Sequence, residues 1–295
     1  MPWLQIKIPT TPDHTDLLED ALLLAGCQAV TLLDSKDQPV FEPIRGTTPL
    51  WQQTTIQGLF EHDIDAASLV EQMQQLITDQ QLTAGKILTE IVEDKDWERE
   101  WMSNFQPIEC GQRLWIVPSW TEAPNANAVN LKLDPGLAFG TGTHPTTFLC
   151  LQWLDEKIKG DESVLDYGCG SGILGLAALL LGAKKMHGLD IDPQALVATE
   201  NNATTNNIDA SQYSVTTEPA DLEPQYDMVV ANILAGPLCD LSEQIVARLK
   251  QGGPLVLSGI LSYQAETVID AYKNWIQFDP VTELDGWVRL SGVRR

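Results

Sequence analysis

Two spacings of apolar residues alternate along the chain, a two-residue repeat typical of strands and a longer repeat typical of helices. Over the first 93 residues they predict the order strand, helix, strand, strand, helix, strand. These elements cover residues 3–8, 13–25, 28–33, 52–60, 66–77 and 86–92. This order is that of a ferredoxin-like α+β sandwich. We therefore expect residues 1–93 to form a small domain, and we interpret it as a recognition module because it carries no catalytic cluster.

A short charged segment at residues 94–105 follows this domain. Its aromatic residues Trp97, Trp101 and Phe105 are spaced four apart, which places them on one face of a helix. Aromatic stripes of this kind are usually buried against a neighbouring surface. We therefore interpret the segment as a linker helix rather than as a cofactor site.

From residue 106 to residue 295, short apolar runs alternate with longer helical patterns, which is typical of a doubly wound, mostly parallel α/β sheet. Strands are predicted at residues 113–117, 129–133, 185–189, 213–215, 226–231 and 255–258, and at the end of a buried run at 164–165. Helices are predicted at residues 146–158, 173–181, 193–206, 238–249 and 263–275. A closing hairpin is expected between Glu283 and residues 287–293.

Three glycines at alternate positions, Gly168, Gly170 and Gly172, lie between a buried strand and the helix at 173–181. Glycine permits unusual backbone angles and lets a ligand touch the main chain, where a Cβ would collide with it. The next strand ends in Asp190, about twenty residues further on, where a carboxylate can bind a ribose diol. The pattern predicts a ligand that carries a ribose.

Residues 170–175 also match the dinucleotide pattern G-x-G-x-x-G. Asp166 favours a different ligand, because its carboxylate would repel a pyrophosphate at the N-terminus of the following helix. S-adenosylmethionine has no phosphate and carries a sulfonium and an ammonium group. The pattern Asp-x-Gly-x-Gly-x-Gly resembles the first motif of class I S-adenosylmethionine-dependent methyltransferases. A glycine turn that only packs a helix on a sheet is the structural alternative.

Charge and composition narrow the possible partners. With 41 acidic and 18 basic side chains, the net charge is -23. Such a field repels nucleic acid and anionic membranes and attracts basic partners. The sequence shows no targeting segment and no run of membrane-spanning length, so we expect a cytoplasmic protein. The five scattered cysteines and four histidines have no ligand spacing, and we predict neither disulfides nor a metal site.

Two further segments carry candidate chemistry. Pro145 can start the helix at 146–158, where Thr146 or Thr147 either binds a ligand or only caps the helix. Asn232 and Ile233 follow the buried strand at 226–231, the position where an open α/β sheet keeps its chemistry. An Asn amide oxygen and a backbone carbonyl can accept hydrogen bonds from an amine and so orient its lone pair.

Four segments together, at 136–147, 166–172, 188–193 and 231–235, are similar to the PrmA-type family of methyltransferases that act on ribosomal protein L11. The resemblance covers nearly all of the chain. It implies trimethylation of lysine side chains and of the N-terminal amine of that protein. It also implies a small N-terminal domain that grips the substrate and a flexible linker that moves the catalytic domain over it. Tyr167 stands where the family commonly has Phe.

Carried over residue by residue, the resemblance places cofactor contacts on Thr147, Gly168, Asp190 and Asn232. We expect Asp166, Gly170 and Phe139 to complete the S-adenosylmethionine site, and Asn232 and Ile233 to be the catalytic positions. The alternatives are a methyltransferase of another protein, a small molecule or RNA on the same fold, and a non-catalytic nucleotide-binding module. The charge of -23 argues against RNA.

Overall fold

The computed structural model describes residues 2–36, 38, 49–93, 105–134 and 142–295. The chain divides into two compact units, Met1–Met102 and Ser103–Arg295. The predicted linker helix lies outside the described residues apart from Phe105, and so does the predicted cofactor contact Phe139.

The first unit is a four-stranded antiparallel sheet covered on one face by two helices. Its elements are β1 (Trp3–Thr10), α1 (Thr15–Leu24), β2 (Ala29–Asp34), β3 (Thr54–Glu61), α2 (Ala66–Asp79) and β4 (Leu88–Val92). The strand order is β2-β3-β1-β4, and every pair of neighbours is antiparallel. This is the predicted ferredoxin-like topology.

The core of this unit follows from alternation along its strands. In β1 every second side chain is buried, beginning with Leu4, and the strand faces Leu18 and Leu22 of α1. Asp65 begins α2 by accepting hydrogen bonds from two backbone N–H groups of the first turn. Among the described residues, the buried core of this unit is built from positions 4 to 87.

The second unit contains a small sheet and a large one. The small sheet comprises β5 (Ile108–Glu109), β6 (Leu114–Val117) and β7 (Val129–Lys132). The strands of the large sheet are β8 (Ser163–Tyr167), β9 (Lys185–Leu189), β10 (Tyr213–Thr216), β11 (Met228–Asn232), β12 (Pro254–Leu261), β13 (Ile276–Phe278), β14 (Thr282–Leu284) and β15 (Trp287–Arg294). The helices are α3 (Pro145–Lys157), α4 (Ile173–Leu180), α5 (Pro193–Thr205), α6 (Ala235–Asp240), α7 (Ser242–Ala247) and α8 (Ala265–Tyr272).

The strand order of the large sheet determines where a ligand can bind. The order is β10-β9-β8-β11-β12-β15-β13, with β14 paired to β15. The strands from β10 to β12 are parallel, and β15 runs antiparallel to β12. From β8 the chain adds β9 and β10 on one side, and it then adds β11 and β12 on the other side. This switch in strand order between β8 and β11 creates a crevice at the carboxyl ends of these two strands.

Apolar side chains bury both faces of this sheet. One cluster packs α3 and α4 against β8 and β11, and a second packs α6, α7 and α8 against the other face. This is the predicted doubly wound architecture. No helix in the part of the chain that the structure describes is long and apolar enough to cross a membrane.

Three details differ from the prediction. The helix predicted at 238–249 begins earlier, at Ala235, and divides into α6 and α7 at Leu241. The helix predicted at 263–275 is replaced by a 3-10 turn at Ser262–Gln264 and the shorter α8. The strands β5 and β13 were not predicted, because two or three residues are too few to show a repeat.

Candidate active site

A cavity of about 580 Å3 opens at the carboxyl ends of β8, β9 and β11. Its wall includes the predicted site residues Gly168, Asp190, Asn232 and Ile233. Three strands that are distant in sequence bring these residues together, because β9, β8 and β11 are neighbours in the sheet. The volume is that of a typical small-molecule site.

The glycine loop after β8 is tightly wound against the end of β9. Gly168, Gly170 and Gly172 have φ values of 82°, 54° and 76°, a region that favours glycine. The N–H groups of Gly168 and Cys169 both donate to the carbonyl of Leu189, at 2.7 and 3.1 Å. A Cβ added at Gly168 would overlap the Cγ2 of Ile233. The loop therefore presents bare main chain to the cavity.

Asp190 lies at the end of β9, on the cavity wall. Its Oδ2 accepts a hydrogen bond from the N–H of Gly170 at 2.9 Å, and its Oδ1 accepts one from the N–H of Asp192 at 3.0 Å. An ionised carboxylate can accept about four hydrogen bonds, so capacity remains for a pair of hydroxyl groups. The neighbouring Ile191 also lines the cavity and is 95% exposed, which offers a flat apolar surface beside that carboxylate.

Asp166 lies beneath the glycine loop rather than on the cavity wall. It is 1% exposed, and its Oδ2 accepts a hydrogen bond from the N–H of Gly175 at 2.8 Å in the first turn of α4. Its Oδ1 is buried and has no hydrogen-bond partner among the described residues. The observed contact is therefore with the helix, and the predicted contact of Asp166 with a cofactor stays a prediction.

Burial raises the pKa of Asp166 to about 7, and the nearby charge of Asp190 acts in the same direction. Because this pKa is raised above its value in the unfolded chain, the folded state binds more protons between the two values. The free energy of unfolding that the protonated Asp166 contributes therefore falls as pH rises from acid toward about 7.

Replacing Asp166 by asparagine is expected to stabilise the protein at alkaline pH. The amide oxygen can still accept the hydrogen bond from Gly175, while no charge has to be buried. Melting temperatures of the wild type and Asp166→Asn, measured from pH 3 to pH 9, should converge at the acid end, separate as pH rises from the ordinary carboxyl pKa of 3.8 to about 7, and differ by a constant amount above that. A difference that does not change with pH would contradict the assigned pKa.

Asn232 ends β11 and is half-buried in the cavity wall. Its Nδ2 donates a hydrogen bond to the hydroxyl of Thr147 at 3.2 Å. Its Oδ1 is buried without a hydrogen-bond partner among the residues that the structure describes. A buried acceptor that lacks a partner is costly. The site is therefore prepared for a ligand that donates a hydrogen bond.

The two threonines that begin α3 have different surroundings. Thr147 is fully buried and holds the amide of Asn232, so its predicted cofactor contact stays a prediction. Thr146 is on the cavity wall. Gly170, another predicted contact, donates its N–H to Asp190 and so shapes the loop.

His144 and Trp287 also line the cavity, and the sequence analysis identified neither of them as a site residue. Nδ1 of His144 accepts a hydrogen bond from the N–H of Thr146 at 3.3 Å and so caps α3. Its ring meets that of Trp287 edge-on, with centroids 4.8 Å apart. Burial lowers the pKa of His144, which favours the neutral imidazole. The position of His144 directly before Pro145 at a helix start was the available signal.

Comparisons with known proteins identify the family of this chain. The family model "Ribosomal protein L11 methyltransferase (PrmA)" matches residues 2–295. The ribosomal protein L11 methyltransferases of Marinomonas sp. (strain MWYL1) and Ectopseudomonas mendocina (strain ymp) are each 55% identical to this chain, covering 100% of it and 99% and 100% of their own lengths. A crystal structure of a ribosomal protein L11 methylase from Lactobacillus delbrueckii subsp. bulgaricus, 32% identical, covers 65% of this chain and 98% of that one with a TM-score of 0.59. This chain therefore belongs to the ribosomal protein L11 methyltransferase (PrmA) family.

Proposed function

We propose that this protein transfers methyl groups from S-adenosylmethionine to lysine ε-amino groups and the N-terminal α-amino group of ribosomal protein L11. The observation that carries this proposal is the Oδ1 of Asn232, a buried acceptor on the wall of the cavity to which no described residue donates a hydrogen bond. An amine can satisfy that acceptor, whereas a ligand without a hydrogen-bond donor cannot.

The cavity residues fit S-adenosylmethionine, whose sulfonium supplies an electrophilic methyl group. Asp190 has the free acceptor capacity that ribose hydroxyls need, and Ile191 offers an apolar surface for the adenine ring. Gly168 leaves the main chain open where a Cβ would close the space beside Ile233. The carboxylate of Asp190 on the cavity wall suits a cofactor that carries positive charge.

Catalysis in this proposal comes from orienting the acceptor amine rather than from a strong base that removes its proton. The Oδ1 of Asn232 and the main-chain carbonyl of Ile233 accept two N–H groups, which directs the nitrogen lone pair into the cavity. The hydroxyl of Thr147 fixes the amide through its Nδ2. The ordinary pKa of a lysine is ~10.4, and the largely apolar lining of the cavity lowers it, so the lysine loses its proton more readily there. The proton passes to solvent.

Charge supports a basic protein as the substrate. The net charge of -23 attracts a lysine-rich surface and accelerates encounter with it. The same field repels RNA. The cytoplasmic location predicted from the sequence is part of this proposal, since ribosomal proteins are made and assembled there.

A labelling experiment tests this function against its alternatives. The protein is incubated with methyl-labelled S-adenosylmethionine and either purified ribosomal protein L11, total RNA or a small-molecule extract. We expect label in ribosomal protein L11, at lysines and at the N-terminus by peptide mass spectrometry. Label only in RNA or in the extract would replace this function with one of the others, and no label would leave a non-catalytic binding module.

We propose that the first unit recognises the protein substrate while the second performs the chemistry. Two features support this division: the first unit has its own core, and the cavity is lined by residues of the second unit. Separate units joined by a segment allow substrate affinity and catalysis to vary independently.

A truncated protein comprising Ser103–Arg295 should therefore bind S-adenosylhomocysteine with the affinity of the full chain. Its methylation of intact ribosomal protein L11 should be strongly reduced, because the tethered substrate no longer has a high effective concentration at the site. Calorimetry and initial rates check the two parts. Equal rates for the truncated and full chains would leave the first unit a structural role only.

A further inference from the structure

β12, the strand beside the proposed amine site, has an irregularity in its pairing with β15. The function proposed above assigns no role to this irregularity. β12 and β15 pair regularly from Pro254↔Val293 to Leu257↔Leu290, and pairing resumes at Ile260↔Val288. Ser258 and Gly259 on β12 thus face the single residue Arg289 on β15. Two residues opposite one define a β-bulge, a feature that is common beside active sites because it re-aims the chain.

Contacts on both sides hold this bulge in place. Ser258 is fully buried, its Oγ donates to the carbonyl of Val288 at 3.0 Å, and it is paired with Asn232 across the parallel ladder. Gly259 follows with φ +86° and lines the cavity. The bulge therefore lies next to Asn232 at the end of β11.

Gly259 brings the main chain of β12 against the peptide group of Ile233. A Cβ at position 259 would overlap the carbonyl oxygen of Ile233. It would also lie 2.7 Å from the carbonyl carbon and 3.1 Å from the backbone nitrogen of the same residue. All three of these contacts are with backbone, which cannot rotate away as a side chain can. A substitution here must displace the segment that follows Asn232, or fill the space beside the carbonyl oxygen.

The other side of Ile233 is also held by a glycine of positive φ. A Cβ at Gly168 would overlap the Cγ2 of Ile233. The side chain of Ile233 thus lies against the glycine loop, and its backbone lies against the bulge of β12. The separation between the methyl donor and the amine acceptors depends on these two approaches.

We propose that Gly259 is a positioning residue for methyl transfer, because its bulge leaves the Ile233 carbonyl open as the second acceptor for the substrate amine. This inference rests on the proposed function. Displacement of a reacting group by about 1 Å can cost about 100-fold in rate.

The test compares Gly259→Ala with Gly252→Ala. Gly252 has a φ of +76°, and a Cβ there meets nothing within 4 Å, so it carries the same backbone strain without the contact. We expect Gly259→Ala to lower kcat on ribosomal protein L11 by about 100-fold, while its Kd for S-adenosylhomocysteine stays within about threefold of that of Gly252→Ala. Equal kcat values for the two variants would overturn the inference.

A second measurement is made on the wild-type chain and so decides the question whatever the stability of the variant. Ile233 is labelled at its carbonyl carbon through 13C-isoleucine and 15N-leucine. The chain contains such Ile–Leu pairs at positions 87, 173, 233 and 260, and the signal of Ile233 is the one lost in Ile233→Val. We expect it to shift when ribosomal protein L11 is added to protein that is already saturated with S-adenosylhomocysteine. Binding without this shift would overturn the inference.

The proposed function and this inference fail differently. If the wild type does not methylate ribosomal protein L11, the function is wrong. If the wild type methylates it and Gly259→Ala is as fast as Gly252→Ala, only the role of Gly259 is wrong.

Discussion

Replacing Asn232 by alanine is expected to lower the rate of methyl transfer by about 100-fold or more at saturating cofactor. The substitution removes the buried Oδ1 that has no hydrogen-bond partner within the described part of the chain and that we assign to the substrate amine. It also leaves the buried hydroxyl of Thr147 without Nδ2, at a cost of about 1 kcal/mol. Single-turnover kinetics and a melting curve separate the two effects, because the loss of stability is small.

Two further variants distinguish an acceptor from a merely structural amide. Thr147→Val keeps Oδ1 but frees the amide to rotate, so its rate should lie between those of wild type and Asn232→Ala. Asn232→Asp keeps an acceptor but adds a negative charge, which raises the pKa of a bound ammonium. Its rate should recover only as pH rises, in a profile displaced to higher pH. Near-normal turnover of Asn232→Ala would show that the amine is held elsewhere.

Asp190→Ala should weaken binding of S-adenosylmethionine by about 1.5–3 kcal/mol, or roughly 10- to 150-fold. The carboxylate is the acceptor that we assign to the ribose hydroxyls. It also holds the N–H of Gly170 and that of Asp192, so the glycine loop loses an anchor at the same time. Calorimetry with S-adenosylhomocysteine measures the loss directly.

Asp192→Ala is the matched control for this effect. It removes the same charge two residues away, where the side chain caps α5 by accepting from the N–H of Gln194 at 2.9 Å. Loss of that cap costs about 1 kcal/mol of stability and should leave cofactor affinity nearly unchanged. Equal affinities for Asp190→Ala and Asp192→Ala would remove the assignment to the ribose.

The sequence predicted most of the fold because its apolar repeats are long and its helix ends are marked. The order of strands and helices in both units follows from those repeats, and the family match confirms the resemblance drawn from four short motifs. The division of the helix at Leu241 was missed, because the apolar repeat continues across it. Strands of two or three residues carry too little signal.

Site residues could be predicted from the sequence only where the residue type and its position relative to a strand indicate a single role. Alternating glycines and an acidic strand end identified Gly168 and Asp190, both of which line the cavity. Trp287 and His144 were missed, because the strand and helix that carry them meet only in three dimensions. The bulge at Gly259 was missed for a related reason, since it exists only in the pairing of β12 with β15.

The most direct test of the central claim is an intact-mass measurement of ribosomal protein L11 after incubation with S-adenosylmethionine and either wild-type protein or Asn232→Ala. The two enzymes are compared at equal cofactor occupancy, established beforehand by calorimetry. We expect the wild type to add methyl groups to amines of ribosomal protein L11, and the variant to add almost none in the same time. Methylation by the variant at the wild-type rate would contradict the assignment of Asn232 as the group that holds the amine.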